Sequence, residues 1–374
     1  MKSKTQIHDE ALQAIGINRR SGIEVSMGVG KTLIGLRHIA AQYTEHRRYL
    51  VVAPRRPIFQ TWKDEMKKFG YEYLESQIEF STYLSLPKQS YDYDFVYLDE
   101  CHSLKSSHNR WLYEYLSQGG RVLGMTGTYP HDKHSEKGKM CNFYCPLVYS
   151  YSPDEAISDE ILNDYKIIVH ELQLSNKPTL EKTKSDHVTT YTTSELKDYT
   201  YWCERIFDST DREQQKMLRI QRMKALQTYP GKFEYAKLLF EQQTEKTIIF
   251  TNTQHQADEI CTNSYHSNNP KSKGNLDRFK TDKILKLSAV EQLSEGVTIP
   301  HLKVGIIMHA YSNNRRASQK IGRMLRLNPT ETATIHILCY ANSVDKEWVT
   351  NALKGFNEDK VQWIKAQFYG GIHY

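Results

Sequence analysis

The chain has 374 residues, enough for about two domains, and a hydrophobic content of 39% that allows each a core. Fifty Lys and Arg against 44 Asp and Glu leave +6, mildly basic and compatible with a polyanionic partner. No apolar run approaches the ~18 residues of a membrane span, and Met1-Lys2-Ser3-Lys4 leads into no signal-type segment. The expectation is therefore a protein of the cytoplasm, or of a host's cytoplasm if phage-encoded, with no membrane partner. Its six scattered cysteines suit reduced thiols.

Gly22-Ile23-Glu24-Val25 reads as a short strand. Ser26-Met27-Gly28-Val29-Gly30-Lys31-Thr32 follows as a loop, and Thr32 to Gln42 as a helix with Leu33, Leu36 and Ile39 at helical spacing. A strand, a glycine loop and a helix N-terminus form a phosphate cradle: the glycines at 28 and 30 let backbone N–H groups approach, and the helix dipole favours the anion. Met27 to Thr32 are the candidate nucleotide-binding residues, with Lys31 for the β- and γ-phosphates and Thr32 for magnesium. Val25 stands where the strict pattern has Gly or Ala.

Tyr49 to Pro54 reads as a buried strand ended by proline, and Phe59, Trp62, Met66 and Phe69 as the core face of a helix. Phe95 to Leu98 is an apolar run closed by Asp99-Glu100. Carboxylates at the end of a central parallel strand sit where ligands bind. Asp99 can hold magnesium and Glu100 can polarise an attacking water. His102 can relay hydrogen bonds. Arg121 to Met125 reads as a further strand, followed by Thr126-Gly127-Thr128, whose hydroxyls can couple the acidic pair to a nucleic-acid side. Arg55 and Arg56, with Ser81, Thr82, Thr251, Asn252 and Ser288, are candidate nucleic-acid contacts. His131, His134, Cys141 and Cys145 have a zinc-compatible composition, but the cysteines read more simply as small core residues.

Residues 150–165 are acidic and turn-rich and read as an interdomain crossing, giving domains 1–163 and 164–374; residues 262–275 read as a flexible loop. Residues 194–228 carry helical spacing. Strands are expected at Thr247 to Phe250, Ile284 to Leu287, Val304 to Met308 and Thr334 to Leu338, with helices at 255–262 and 315–326. The alternation implies a second parallel α/β domain. Gln319, Arg323 and Arg326 fall at i, i+4 and i+7, so one helix face presents an amide and two guanidiniums, whose planar forks suit phosphate oxygens.

Taken in order, the phosphate loop, Ala53-Pro54, Asp99-Glu100-Cys101-His102, Thr126-Gly127-Thr128, Thr247-Ile248-Ile249-Phe250-Thr251, Glu295-Gly296 and Gln319 through Arg326 resemble the superfamily 2 helicases and translocases. The resemblance spans residues from about 20 to 345. Trp62-Lys63-Asp64-Glu65 and the run from Asp99 to Lys105 are similar to the Swi/Snf-like branch and to compact phage branch-migration helicases. The resemblance implies two tandem RecA-like domains, each a parallel sheet flanked by helices, with the ATP site in the cleft between them. It implies ATP and Mg2+ as cofactors, and Lys31, Asp99, Glu100, Gln319, Arg323 and Arg326 as catalytic residues. Glu295-Gly296 resembles a turn that couples nucleotide to nucleic acid, together with His102, Thr126 and Thr128. The implied partner is single-stranded, forked or branched DNA, tracked 3′ to 5′ by a monomer. An RNA helicase and a nucleotide-switched DNA clamp are the alternatives. The family's adenine-reading glutamine has no plain counterpart here; Gln6 and His8 are the candidates to stand in.

Overall fold

The computed structural model describes residues 1–26, 28–183, 189–290, 299–309, 331–354 and 356–366. The chain divides into two compact units, Met1–Asn163 and Asp164–Tyr374. Among the described residues, no helix is long and apolar enough to cross a membrane.

The first unit is built on six parallel strands: β1 (Arg20–Val25), β2 (Tyr49–Ala53), β3 (Ile78–Thr82), β4 (Phe95–Asp99), β5 (Val122–Thr126) and β6 (Leu147–Tyr151), in the order β3-β2-β4-β5-β1-β6. Every residue of β2, β4 and β5 is buried, the pattern of parallel strands covered on both faces. Helices α1 (Lys4–Ile15), α2 (Lys31–Ala41), α3 (Pro57–Phe69), α4 (Asn109–Ser117), α5 (Glu136–Tyr144) and α6 (Pro153–Ser158) accompany the sheet. Proline at its first turn starts α3, and Gly70, at φ +75°, ends it by donating its N–H to Met66. Trp62 and Met66 are buried as expected, but Phe69 is exposed, because the helix stops beside it. Cys141 and Cys145 lie in the hydrophobic core with Cys101, packed over Gly124 of β5, where a side chain would strike the Cys145 sulfur.

The second unit carries seven parallel strands: β7 (Asp164–Leu172), then, after the antiparallel pair β8 (Leu180–Thr183) and β9 (Thr190–Thr193), β10 (Thr247–Thr251), β11 (Ser264–Tyr265), β12 (Lys286–Val290), β13 (Val304–Ile307), β14 (Thr332–Tyr340) and β15 (Val361–Lys365). The sheet order is β11-β12-β10-β13-β14-β7-β15. Its helices are α7 (Glu195–Asp208), α8 (Arg212–Thr228), α9 (Pro230–Gln242), α10 (Gln254–Ile260), α11 (Ser272–Lys280) and α12 (Val344–Ala352).

The boundary between the units falls after Asn163, inside the stretch 150–165 read as an interdomain crossing; that stretch also holds the end of β6, all of α6 with its Ser152 capping box, and the start of β7. One expectation needs correction. Residues 262–275 are not a loose loop. Ser264 donates to Asp258 at 2.5 Å, and Asn269 and the buried Asn275 both donate to the Ser264 carbonyl, so the Asn- and Ser-rich composition is spent on local side-chain-to-backbone bonds.

Inside the second sheet, a polar chain runs between strands and helix. The His170 Nδ1 lies 2.7 Å from the Tyr235 hydroxyl, and its Nε2 lies 2.8 Å from His336 Nδ1. Burial, then the neighbouring His336, holds His170 down to about 3; burial, then Lys166, holds His336 down to about 4. Both imidazoles therefore fold neutral. In the unfolded chain they take up protons near pH 6.5, so below that pH the unfolded state binds more protons and stability falls. The contribution is complete above about pH 6.5 and is lost on the way down, to about pH 4 for His336 and about pH 3 for His170. Replacing both by leucine should flatten the fall in thermal midpoint between pH 7 and pH 5. The slope of that midpoint against pH, measured by circular dichroism, is the readout; an unchanged slope would show that the pair does not titrate on unfolding.

Candidate nucleotide site at the carboxyl edge of the first sheet

Sheet register brings the candidate residues together. In the pairing of β1 with β5, Glu24 stands beside Thr126; in that of β4 with β5, Asp99 stands beside Met125. The loop after β1, the acidic pair after β4 and the threonine ending β5 thus leave adjacent strands at one edge, where open α/β sheets bind ligands.

The loop from Ser26 to Gly30 is shaped by its glycines. Gly28 and Gly30 sit at φ +92° and +107°, a region that residues with a Cβ rarely enter. Gly30 caps α2 without a side-chain acceptor, and the first turn holds no acid, so the N–H groups of that turn face outward without a built-in anion. Met27 lies outside the described residues. His8, on α1, is buried against this loop, and its Nε2–H donates to the Val29 carbonyl at 2.8 Å. Gln6 is exposed and serves the capping box of α1 with Ser3.

Lys31 Nζ stands 3.6 Å from Glu100 Oε1. Burial pushes the Glu100 carboxyl up, but Lys31, then His102 and Thr126, pull it below its ordinary range. Asp99 moves the other way: burial and the adjacent Glu100 charge raise it, against the hydrogen bond from Trp62. The two carboxylates are thus driven apart, the usual mark of neighbouring acids with different tasks. Glu100 occupies the left-handed region at φ +51° and ψ +53°, unusual for a residue without a glycine's freedom.

Thr126 gathers the rest. Its hydroxyl lies 2.8 Å from His102 Nδ1 and 3.4 Å from Glu100 Oε2, and accepts the Thr128 N–H at 3.1 Å. His102 Nδ1 is also 3.3 Å from Glu100 Oε2, an arrangement that a proton on Nδ1 satisfies. The buried Thr128 hydroxyl has no partner among the described residues.

Two contacts escaped the sequence. Trp62, read as core, donates its Nε1–H to Asp99 Oδ2 at 2.9 Å. Glu24 accepts the Tyr129 N–H at 2.8 Å and lies 3.0 Å from His131, tying the segment after Thr128 to β1. Helical spacing marks Trp62 only as inward-facing, and nothing in a four-residue strand distinguishes Glu24 from a solvated carboxylate.

The nucleic-acid candidates separate by burial. Arg55 and Arg56 are exposed, and Thr82 and Asn252 half-buried. Ser81, Thr251 and Ser288 do not reach the surface: Ser81 accepts from Gln89, Thr251 donates to the Thr253 carbonyl, and Ser288 donates to the Ala257 carbonyl at 2.7 Å. Ser81 and Ser288 join their strands to neighbouring segments and Thr251 bonds within its own, so each of these three candidate hydroxyls already has a hydrogen-bond partner in the protein. Glu295, Gly296, Gln319, Arg323 and Arg326 lie outside the described residues. Among the described residues, no group of three or more His, Cys, Asp or Glu is placed to hold a metal. Asp99 and Thr32 offer a carboxylate and a hydroxyl, and hard oxygen donors in this number suit magnesium, which keeps most of its waters.

A family model of the type III restriction enzyme res subunit matches residues 4–131, and one of the helicase conserved C-terminal domain matches residues 231–328. The DNA 3'-5' translocase XPB2 of Sulfurisphaera tokodaii is 23% identical over 90% of this chain and 82% of its own length. Among solved structures, the ATP-dependent type ISP restriction-modification enzyme LlaBIII bound to DNA aligns with 99% of this chain and 31% of its own, at TM-score 0.63 and 15% identity. The Hef helicase domain of Pyrococcus furiosus aligns with 93% of this chain and 97% of its own, at TM-score 0.51 and 14% identity. The two family matches and the likeness to XPB2 support a superfamily 2 helicase or translocase, an ATP-hydrolysing enzyme whose two parallel-sheet α/β units match the tandem RecA-like fold of its structural neighbours.

The Thr126 junction yields a stability test. Thr126→Val keeps the shape of the side chain but strips the Thr128 N–H and His102 of their shared partner, which should cost about 1–3 kcal/mol. Urea unfolding followed by fluorescence measures it, and Thr126→Ser should recover most of the loss.

Proposed function

We propose that this chain is a DNA translocase that remodels forked or branched DNA in phage-type replication or recombination. The observation that carries the reading is the Lys31–Glu100 contact at an uncapped helix N-terminus, in a chain whose second half matches a helicase C-terminal domain. In this reading Gly28 to Thr32 cradle the triphosphate, with Lys31 on its outer phosphates. Magnesium, when bound, would be held by Thr32 and Asp99 and would offset phosphate charge. Glu100 orients the attacking water, its carboxylate kept ionised by Lys31 and His102. Arg323 and Arg326 stabilise charge developing in the transition state, with Gln319 beside them in sequence. His102, Thr126 and Thr128 report the state of Glu100 toward the nucleic acid, which Arg55, Arg56, Thr82 and Asn252 contact.

DNA is preferred to RNA because the curated relative is named a DNA translocase and one neighbour was solved on DNA. The setting is cytoplasmic and the working form a monomer. An RNA helicase would be stimulated most by RNA, and a nucleotide-switched clamp would hydrolyse ATP without displacing a strand or a triplex. ATPase rates with duplex, single-stranded and branched DNA and with RNA, beside triplex displacement, separate the three.

Lys31→Ala should abolish turnover, whereas Glu100→Gln should still bind ATP and not release it as product. Arg326→Ala leaves Lys31, Thr32 and the loop amides in place, so ATP should bind within about tenfold of wild type while turnover falls at least ~10²-fold. A folded Arg326→Ala protein with undiminished DNA-stimulated ATPase would remove the second unit from the chemistry and the translocase reading with it.

A further inference from the structure

Trp62 meets two parts of the candidate nucleotide site, the Asp99 carboxylate at the end of β4 and helix α2. It is fully buried on α3. Its indole Nε1–H donates to Asp99 Oδ2 at 2.9 Å, and Asp99 is itself almost fully buried. On its far edge the ring presses on α2, the helix that begins with Lys31 and Thr32. A Cβ on Gly35 would stand 2.6 Å from Trp62 Cη2, so the glycine is what lets the ring reach across. Tyr97, two residues before Asp99 on β4, meets the same ring edge-on at 6.5 Å between centroids.

A buried indole N–H must find an acceptor, but packing alone does not require that acceptor to be this carboxylate. The bond fixes which oxygen of Asp99 faces inward. Oδ2 is held by the indole, and Oδ1 is turned to the opposite side of the carboxylate. A ligating carboxylate needs such an outer partner, because a carboxyl group free to rotate about its last torsion loses orientational freedom whenever a cation binds.

We propose that Trp62 is a positioning residue for divalent metal at this site: its indole N–H orients the Asp99 carboxylate toward the metal of the bound nucleotide. The proposal rests on the reading of Asp99 as a magnesium-holding residue. It assigns to Trp62 no contact with nucleotide or metal. Phenylalanine at 62 keeps an aromatic ring on α3 but has no N–H for Asp99; it also ends short of the Cη2 position beside Gly35, so nucleotide affinity without metal is measured to read the packing on α2 separately.

The test uses the whole chain and manganese as the probe, since Mn2+ substitutes for Mg2+ and its free form is read directly by electron paramagnetic resonance. With ADP present, Trp62→Phe should weaken Mn2+ binding about tenfold, in the range typical of lost outer partners. ADP affinity in EDTA should stay within about twofold of wild type. In ATPase assays the Mg2+ concentration for half-maximal rate should rise by a similar factor, while the rate at saturating Mg2+ falls far less. Met66→Leu, a buried change on the same helix, should leave the metal dependence unaltered, and Asp99→Asn/Trp62→Phe should bind Mn2+ no more weakly than Asp99→Asn alone.

The failures are distinguishable. If Asp99→Asn binds Mn2+ as wild type does, Asp99 is not the metal residue and the underlying reading falls. If Asp99→Asn loses Mn2+ but Trp62→Phe does not, only the positioning proposal falls. If Trp62→Phe weakens ADP in EDTA as much as it weakens Mn2+, the ring acts by packing on α2, and the proposal is again wrong.

Discussion

The Lys31–Glu100 contact is the interaction on which the arrangement at the carboxyl edge of the first sheet depends. It joins two segments 69 positions apart in the chain, and it exists only because the sheet interposes one strand between their supports. β5 lies between β1 and β4, so its terminal Thr126 falls between the loop of one and the acids of the other. Lys31 then compensates a carboxylate that burial would otherwise neutralise. Without the lysine, Glu100 would sit buried, in a left-handed turn, beside a second carboxylate. Sheet order, backbone strain and charge are a single constraint here.

The network around that contact is also where the two acids acquire different characters. Glu100 has a lysine, a histidine and a threonine hydroxyl around it. Asp99, the last residue of β4, has an indole N–H and is more deeply buried. Glu100 follows it in the left-handed turn that ends the strand, and that turn aims the second carboxylate toward Lys31 and Thr126. A two-residue motif thereby serves two environments without any further device.

Much of this was legible in the sequence because it is carried by strong local signals. Fully apolar runs at Tyr49 and Phe95 announce buried parallel strands, and Gly28, Gly30, Lys31 and Thr32 announce the glycine turn and the helix that begins after it. Other elements were hidden for physical reasons. β3 has only two buried residues among its five, and β6 has three half-buried residues, then the exposed Ser150 and one buried residue at its end, so neither has a marked buried run. Ser264, Asn269 and Asn275 look like loop composition, because residues that bond to backbone serve turns and ordered caps alike. Ser81, Thr251 and Ser288 look like ligands at strand ends, and only the burial of each shows that its hydroxyl is already used. Trp62 is the sharpest case: helical spacing locates its ring correctly and says nothing of where its N–H points.

The phosphate loop itself shows what a motif encodes. Its strict pattern asks for glycine or alanine five positions before the final glycine, and this chain has Val25. The structure makes Val25 an ordinary strand residue: it is fully buried, stands beside Tyr151 of β6, and the next N–H, of Ser26, donates to the Tyr151 carbonyl at 2.9 Å. β1 therefore keeps its pairing one residue further before the chain turns. The turn is then made with Gly28 and Gly30, which among the described residues of the loop are the positions with positive φ. A β-branched residue suits a buried strand end, and a glycine there would only loosen it. The requirement for backbone freedom has not been waived in this chain; it falls on the two glycines nearest the helix, Gly28 and Gly30, where the chain turns from strand into helix.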